Sequence, residues 1–116
     1  MIEGIHGLLY SDDAEATREF LRDKLDLEAR DVGEGWLVFD FDEADLGVHP
    51  TAPQDENPPP GAFSVSLYCE EIDDTVERLR ERGVTFASEI EDRGWGRAVQ
   101  IDVPGGIELT IYEPQY

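Results

Sequence analysis

Apolar residues in this chain fall into short alternating runs, interrupted by two stretches with helical spacing. From Asp13 to Leu25, an inner stripe is formed by Ala14, Thr17, Leu21 and Leu25, three and four residues apart as on one helix face. Asp12 stands where an N-cap is expected, with Glu15 three residues on. From Ile72 to Arg82 a second stripe comprises Ile72, Thr75, Val76 and Leu79. Acids open this helix, arginines close it, and Gly83 supplies a C-terminal stop. A strand precedes each helix, Gly4–Tyr10 in one case and Ala62–Cys69 in the other. Three strands follow each: Glu28–Val32, Trp36–Phe41 and Ala44–His49, then Val84–Ile90, Arg97–Val103 and Ile107–Tyr112. The order βαβββ therefore occurs twice.

The residues repeat as well as the elements. Gly35-Trp36 recurs as Gly94-Trp95, Leu21-Arg22 as Leu79-Arg80, and Tyr10 with Asp12-Asp13 as Tyr68 with Glu70-Glu71. Between the copies, Pro50–Gly61 holds five of the seven prolines, and Pro58-Pro59-Pro60 forbids helix or inner strand there. The expected organisation is one domain over residues 1–116, with modules at about 2–50 and 61–114 and a stiff linker at 50–61.

Strand alternation sorts the side chains into two faces. Phe63, Val65, Leu67 and Cys69 make an apolar face, as do Ile107, Leu109 and Ile111, and the two helices are expected to cover such faces. The opposite face carries His6, Leu8 and Tyr10, then Ser64, Ser66 and Tyr68, then Asp45 and His49, then Glu108, Thr110 and Tyr112. By the repeat, His6 matches Ser64, Asp45 matches Glu108, and His49 matches Tyr112. Both histidines of the chain fall on this polar, aromatic face. Imidazole with carboxylate suits a divalent ion such as Zn, Ni, Mn or Fe(II). His49 lies four residues beyond Asp45, roughly 13 Å at about 3.3 Å per residue, which argues against their sharing one ion.

Composition narrows the function classes. The chain is 40% hydrophobic, enough for one core, so intrinsic disorder is excluded. Nine Lys and Arg against 28 Asp and Glu give a formal charge of −19, and Lys24 is the single lysine. So few cations build no basic patch, so neither nucleic acid nor an anionic membrane surface is expected as a partner. The acids are spread through every segment, which fits a surface adapted to a halophilic cytoplasm. Apolar runs are far shorter than the roughly 20 residues that span a bilayer. No leader is expected ahead of a structured Met1–Tyr10, and the lone Cys69 suits a reducing, cytoplasmic setting and a buried, inert role.

With Gly4-Ile5-His6 opening the first strand, the run Ile72-Asp73-Asp74-Thr75-Val76-Glu77-Arg78-Leu79-Arg80-Glu81-Arg82-Gly83-Val84, Trp95-Gly96-Arg97, Pro104-Gly105-Gly106-Ile107-Glu108-Leu109 and Tyr112-Glu113-Pro114, the chain resembles the vicinal oxygen chelate superfamily. That group takes in glyoxalase I, extradiol dioxygenases and the bleomycin-resistance proteins. The resemblance implies an α+β fold, two βαβββ modules curving into an eight-stranded, cup-shaped open barrel, and pairing into a homodimer. It also implies a divalent metal in the cup. His6 and Glu108 would be ligands, Asp45 and His49 are further candidates, and a detached Glu108 would act as catalytic base. Ser64 stands where many members carry a ligating histidine, so the usual set is incomplete. Two functions follow from it. One is a metal-dependent lyase, isomerase or dioxygenase acting on a small molecule. The other is a metal-free cup that sequesters a small ligand, with Tyr10, Ser64, Tyr68 and Tyr112 lining it. Simpler roles stand beside these: an unligated pocket histidine for His6, a salt bridge to Arg97 for Glu108, a solvated acid for Asp45, a rim or cap for His49, and packing for Tyr10, Tyr68, Tyr112, Trp36 and Trp95.

Overall fold

The steadiest alternation in the sequence, residues 97–112, builds the longest strands. The computed structural model describes residues 7–44, 47–48 and 62–115. Their elements in chain order are α1 (Ala14–Asp23), β1 (Ala29–Asp31), β2 (Leu37–Phe39), β3 (Ser66–Tyr68), α2 (Ile72–Glu81), β4 (Glu91–Asp92), β5 (Gly96–Val103) and β6 (Ile107–Pro114). This is a mixed α+β fold with two sheets, a β1–β2 hairpin and a four-stranded sheet in the order β3-β6-β5-β4.

β5 and β6 pair antiparallel from Gly96↔Pro114 to Val103↔Ile107. The turn between them, Pro104-Gly105-Gly106, takes φ of 104° and 79° at its glycines, a region closed to most side chains. Val99, Ile101, Val103, Leu109 and Ile111 point to one face and meet Ile72, Val76 and Leu79 of α2, with Val84 beside them. Each such side chain contributes about 1.5–3 kcal/mol on burial. The inward stripe expected of α2 is therefore realised, apart from the half-buried Thr75, whose hydroxyl donates to the Glu71 carbonyl at 2.8 Å. Capping comes from outside the helix. Glu71, the N-cap, makes no side-chain cap bond, and Glu113 of β6 accepts the Ile72 N–H at 2.9 Å. A carboxylate there satisfies an orphan donor and complements the helix dipole.

β3 runs parallel to β6, Ser66↔Thr110 through Tyr68↔Tyr112. The second half thus has the expected order of strand, helix and three strands, with two corrections. The strand expected at Ala62–Cys69 begins at Ser66, and Phe63 and Val65, assigned to the core face, are exposed. The strand expected at Val84–Ile90 is broken. Phe86 bridges Ile101 and Ala87 N–H reaches the Gln100 carbonyl, but the Gln100 N–H then bonds the Ser88 hydroxyl, and pairing resumes only at Glu91. A side-chain acceptor has replaced a backbone one, so the ladder slips and the strand bulges.

In the first half, α1 is capped by Asp13 rather than Asp12: the Asp13 carboxylate accepts the Ala16 N–H at 3.1 Å. Asp12 is otherwise engaged, its N–H bonding the Gly105 carbonyl at 3.1 Å. Thr17, buried, donates to the Pro104 carbonyl at 2.5 Å and lies 2.7 Å from the Ser11 hydroxyl. Leu21 is buried, and Phe20 and Leu25 pack against the core of the second half, while Ala14 is exposed. The hairpin strands are three residues each.

Other expected strands of this half do not form where the structure describes them. Residues 7–10 of the expected Gly4–Tyr10 strand carry no strand, nor do Ala44, Gly47 and Val48 of Ala44–His49. A strand persists only where a neighbour takes its ladder bonds, and among the described residues none pairs with these segments. Instead of the eight strands of a cup, the described residues form six, in two separate sheets. The linker Pro50–Gly61 lies outside the described residues.

Candidate binding face of the larger sheet

α2 covers one face of the larger sheet. The other displays Ser66 and Tyr68 of β3, Glu108, Thr110 and Tyr112 of β6, and Ala98, Gln100 and Asp102 of β5, set level by the register. This is the polar, aromatic face that alternation assigns to Glu108, Thr110 and Tyr112.

Tyr112 is its centre. Tyr68 lies on one side, ring centroids 6.1 Å apart and tilted by 54°. Trp95, leading into β5 on the other side, meets Tyr112 edge-on at 5.3 Å and 72°, a favoured aromatic geometry. Trp95 is held by its backbone, whose carbonyl accepts the Gln115 N–H at 2.9 Å. The next residue must be glycine, because a Cβ at Gly96 would stand 2.6 Å from the Glu113 carbonyl oxygen. Tyr68 and Trp95 remain 39% and 46% exposed, so the row presents ring surface to solvent. The Tyr68 hydroxyl donates to the carboxylate of Glu43, a residue of the first half.

The polar end of the face lies along the same strands. Gln100 Nε2 donates to the Thr110 hydroxyl at 2.7 Å, and both are half-buried. One step further, Asp102 and Glu108 stand opposite one another across the ladder, both exposed. Like charges placed so repel, and their exposure lets solvent screen them. The salt bridge considered between Glu108 and Arg97 does not form. Arg97 lies on the helix-covered side, where its two Nη atoms donate to Asp73 at 2.6 and 3.0 Å. This pairing holds the Asp73 carboxyl below the ordinary carboxylate value.

Of the other expected site residues, Ser64 is exposed and lies two residues ahead of β3, outside any strand. Tyr10 is 87% exposed and outside any strand. His6, Asp45 and His49 lie outside the described residues. Cys69, expected to be buried, is half-buried against the core, and burial pushes its thiol up. No three His, Cys, Asp or Glu side chains among the described residues are grouped to hold an ion. At the place the resemblance marks for a metal, the second half offers one strong donor, Glu108, and one weak neutral donor, Ser64. A divalent ion there would need its remaining donors from the first half. The sequence reading missed Glu43, Gln100 and Asp102 in this face, and Trp95 except as packing. Alternation along β5 marks Gln100 and Asp102 as facing Thr110 and Glu108, whereas nothing in the sequence singles out Glu43.

The chain belongs to the Glyoxalase/Bleomycin resistance protein/Dioxygenase superfamily, whose model matches residues 5–113. A member of that superfamily from Sphaerobacter thermophilus superposes with a TM-score of 0.66 at 25% identity, over 97% of this chain and 98% of that one. Two further structures share the fold. TnmS3, an antibiotic-binding protein from Streptomyces, matches with a TM-score of 0.63 at 20% identity over 96% of this chain and 100% of that one. A lactoylglutathione lyase from Agrobacterium tumefaciens matches with a TM-score of 0.62 at 20% identity over 90% and 88%. No curated protein sequence matches the chain. No helix among the described residues is long and apolar enough to cross a membrane.

Proposed function

We propose that the chain binds a small organic molecule against the Tyr68–Tyr112–Trp95 row. The observation that carries this reading is the row itself: Tyr112 with Tyr68 against it on one side and Trp95 on the other, on the sheet face opposite α2, the two outer rings more than a third exposed. Aromatic walls with a few placed polar groups are the common make-up of small-molecule sites, and Gln100, Thr110 and Ser66 supply the polar groups. The antibiotic-binding neighbour supports the same reading. In this proposal the whole chain is one glyoxalase-like domain. Its halves, about 2–50 and 61–114, are joined by the 50–61 linker, and Tyr10 and Ser64 would be further contacts for the ligand. The chain works as a homodimer in a salt-rich cytoplasm, and needs neither nucleic acid nor membrane. Titration with 2-naphthylmethanol, followed by the indole N–H resonance of Trp95, tests the site. Saturable shifts that Tyr112→Ala removes from a folded protein are expected, and unchanged binding by that variant overturns the reading. Sedimentation as a monomer in molar salt overturns the dimer.

Glu108 favours a second reading, a metal-dependent lyase, isomerase or dioxygenase. It places a carboxylate on the binding face of a central strand, with no arginine bonded to it. His6 and Glu108 would hold the ion, with either Asp45 or His49 as a further donor, and Zn, Ni, Mn or Fe would supply Lewis-acid polarisation of a bound oxygen. Glu108 would also take up a proton when not ligating, and the aromatic row would orient the substrate. An ion that binds only the folded chain stabilises it by about 2.7 kcal/mol at a hundredfold excess over Kd. Divalent ions should therefore raise Tm, and His6→Ala and Glu108→Ala should each abolish the rise. Melting curves unmoved by all four metals exclude this reading and leave the first intact.

A further inference from the structure

We propose that the aromatic face selects a cationic ligand, a flat aromatic molecule bearing an ammonium group, and that Glu43 provides the selecting charge. This deepens the small-molecule reading and rests on it. The observation is one hydrogen bond in an uncommon place. Tyr68 donates its hydroxyl to the Glu43 carboxylate, so a charged group from the first half is fixed at the end of an aromatic row built by the second. Ring faces attract cations through their quadrupole. A carboxylate tethered to the rim of the same row adds an oriented partner for the ammonium hydrogens.

Among the described residues no cation pairs with the Glu43 carboxylate. The two arginines beside this part of the sheet are engaged elsewhere, Arg97 by Asp73 at 2.6 Å and Arg93 by Glu91 at 3.8 Å. Arg18 and Arg30, in the first half, lie over the Trp36 ring and against Asp40. The far end of the face is also anionic, through Asp102 and Glu108. An anion laid along the row would meet carboxylates at both ends, whereas a cation would be complementary to both.

The excess acid of the whole chain would draw any cation weakly, so the test has to separate Glu43 from the general field. Two probes of nearly the same shape, 2-naphthylmethylammonium and 2-naphthylmethanol, are titrated at one fixed salt concentration while the Trp95 indole N–H is observed. The ammonium is expected to bind about tenfold tighter, the scale of one charge-assisted contact. Glu43→Gln keeps an acceptor for the Tyr68 hydroxyl but removes the charge, and it should erase most of that preference while leaving the alcohol unaffected. Glu77→Gln, on α2 behind the sheet, removes an equal charge and should preserve the preference. Equal affinity for the two probes overturns the inference yet leaves the binding face standing. So does an equal loss in Glu43→Gln and Glu77→Gln. If neither probe moves Trp95, the binding face itself fails and the inference falls with it.

Discussion

The two halves of the chain carry the same layout of helix, turn and strand residues and fold to different depths. In the second half, β5 and β6 pair over eight residues and α2 seals their apolar side. In the first, β1 and β2 pair over three, and Val32, Trp36 and Phe41 are each more than half exposed. The twin tryptophans show the contrast most plainly. Trp95 sits edge-on to Tyr112, while Trp36, 56% exposed, carries the Arg18 guanidinium over its ring, 4.6 Å from the centroid. Even the helices differ in what holds them. α2 is fixed by Ile72, Val76 and Leu79, whereas α1 is moored to the β5–β6 turn through Ser11, Asp12 and Thr17. A shared sequence pattern therefore sets which way side chains alternate, and the supply of neighbouring strands sets whether a strand forms.

Removing salt should widen the difference most. At molar salt the screening length is about 3 Å and at about 10 mM it is 30 Å, so a chain of formal charge −19 repels itself across its whole surface. Hydrogen exchange should show β1 and β2 opening first and β5 and β6 last, with the fold lost below about 0.3 M salt. Melting that is unchanged between low and molar KCl removes the halophile reading.

Truncation in the core comes next. Ile101 is fully buried, and Ile101→Ala should cost about 2–5 kcal/mol in urea unfolding. Val38→Ala in the half-buried hairpin should cost about 1 kcal/mol or less. Equal costs would mean that the hairpin is packed as tightly as the core of the larger sheet. Gly105→Ala probes the mooring between them. A Cβ at that position would stand 1.8 Å from Ser11 Oγ, in a backbone region with φ of 104°. The expected loss is about 1–3 kcal/mol, with exchange rising in α1 and not in α2. A silent substitution would show that α1 does not depend on this turn.

Much of this asymmetry is hidden from the sequence for a physical reason. Alternation gives β5 and β6 and the two faces of β6 correctly, and helical spacing gives α1 and α2, because each of these signals is local. The fates of Phe63, Val65 and Val48 depend on which strand lies alongside, and no local pattern encodes that. The same holds for side chains that reach across the fold. Glu113 capping α2 and Glu43 bonding Tyr68 are contacts at separations of 41 and 25 residues, each made by one acid among 28. The aromatic row was half legible: Tyr68 and Tyr112 follow from strand phase, while Trp95 precedes its strand and joins the row through a turn.

The smallest expected effect compares two ion pairs of matching form. Arg97 grips Asp73 between β5 and α2 in the second half, and Arg30 grips Asp40 across the hairpin at 3.0 and 3.3 Å in the first. In each pair the guanidinium's hydrogen bonds hold the carboxyl below its ordinary value of 3.8. A carboxyl with a depressed folded pKa stabilises the fold above its unfolded pKa, and that stabilisation is lost as pH falls through the folded value. Both pairs are solvent-exposed, so each effect is small. Asp73→Asn should lower the stability slightly at neutral pH and converge on the wild type once the pH falls well below 3.8. Its influence should reach the global unfolding transition, because α2 is part of the core. Asp40→Asn should show the same pH window only in the local exchange of β1 and β2. A global shift from Asp40→Asn equal to that from Asp73→Asn would mean that the hairpin unfolds together with the larger sheet, and the two halves would then differ in packing but not in cooperativity.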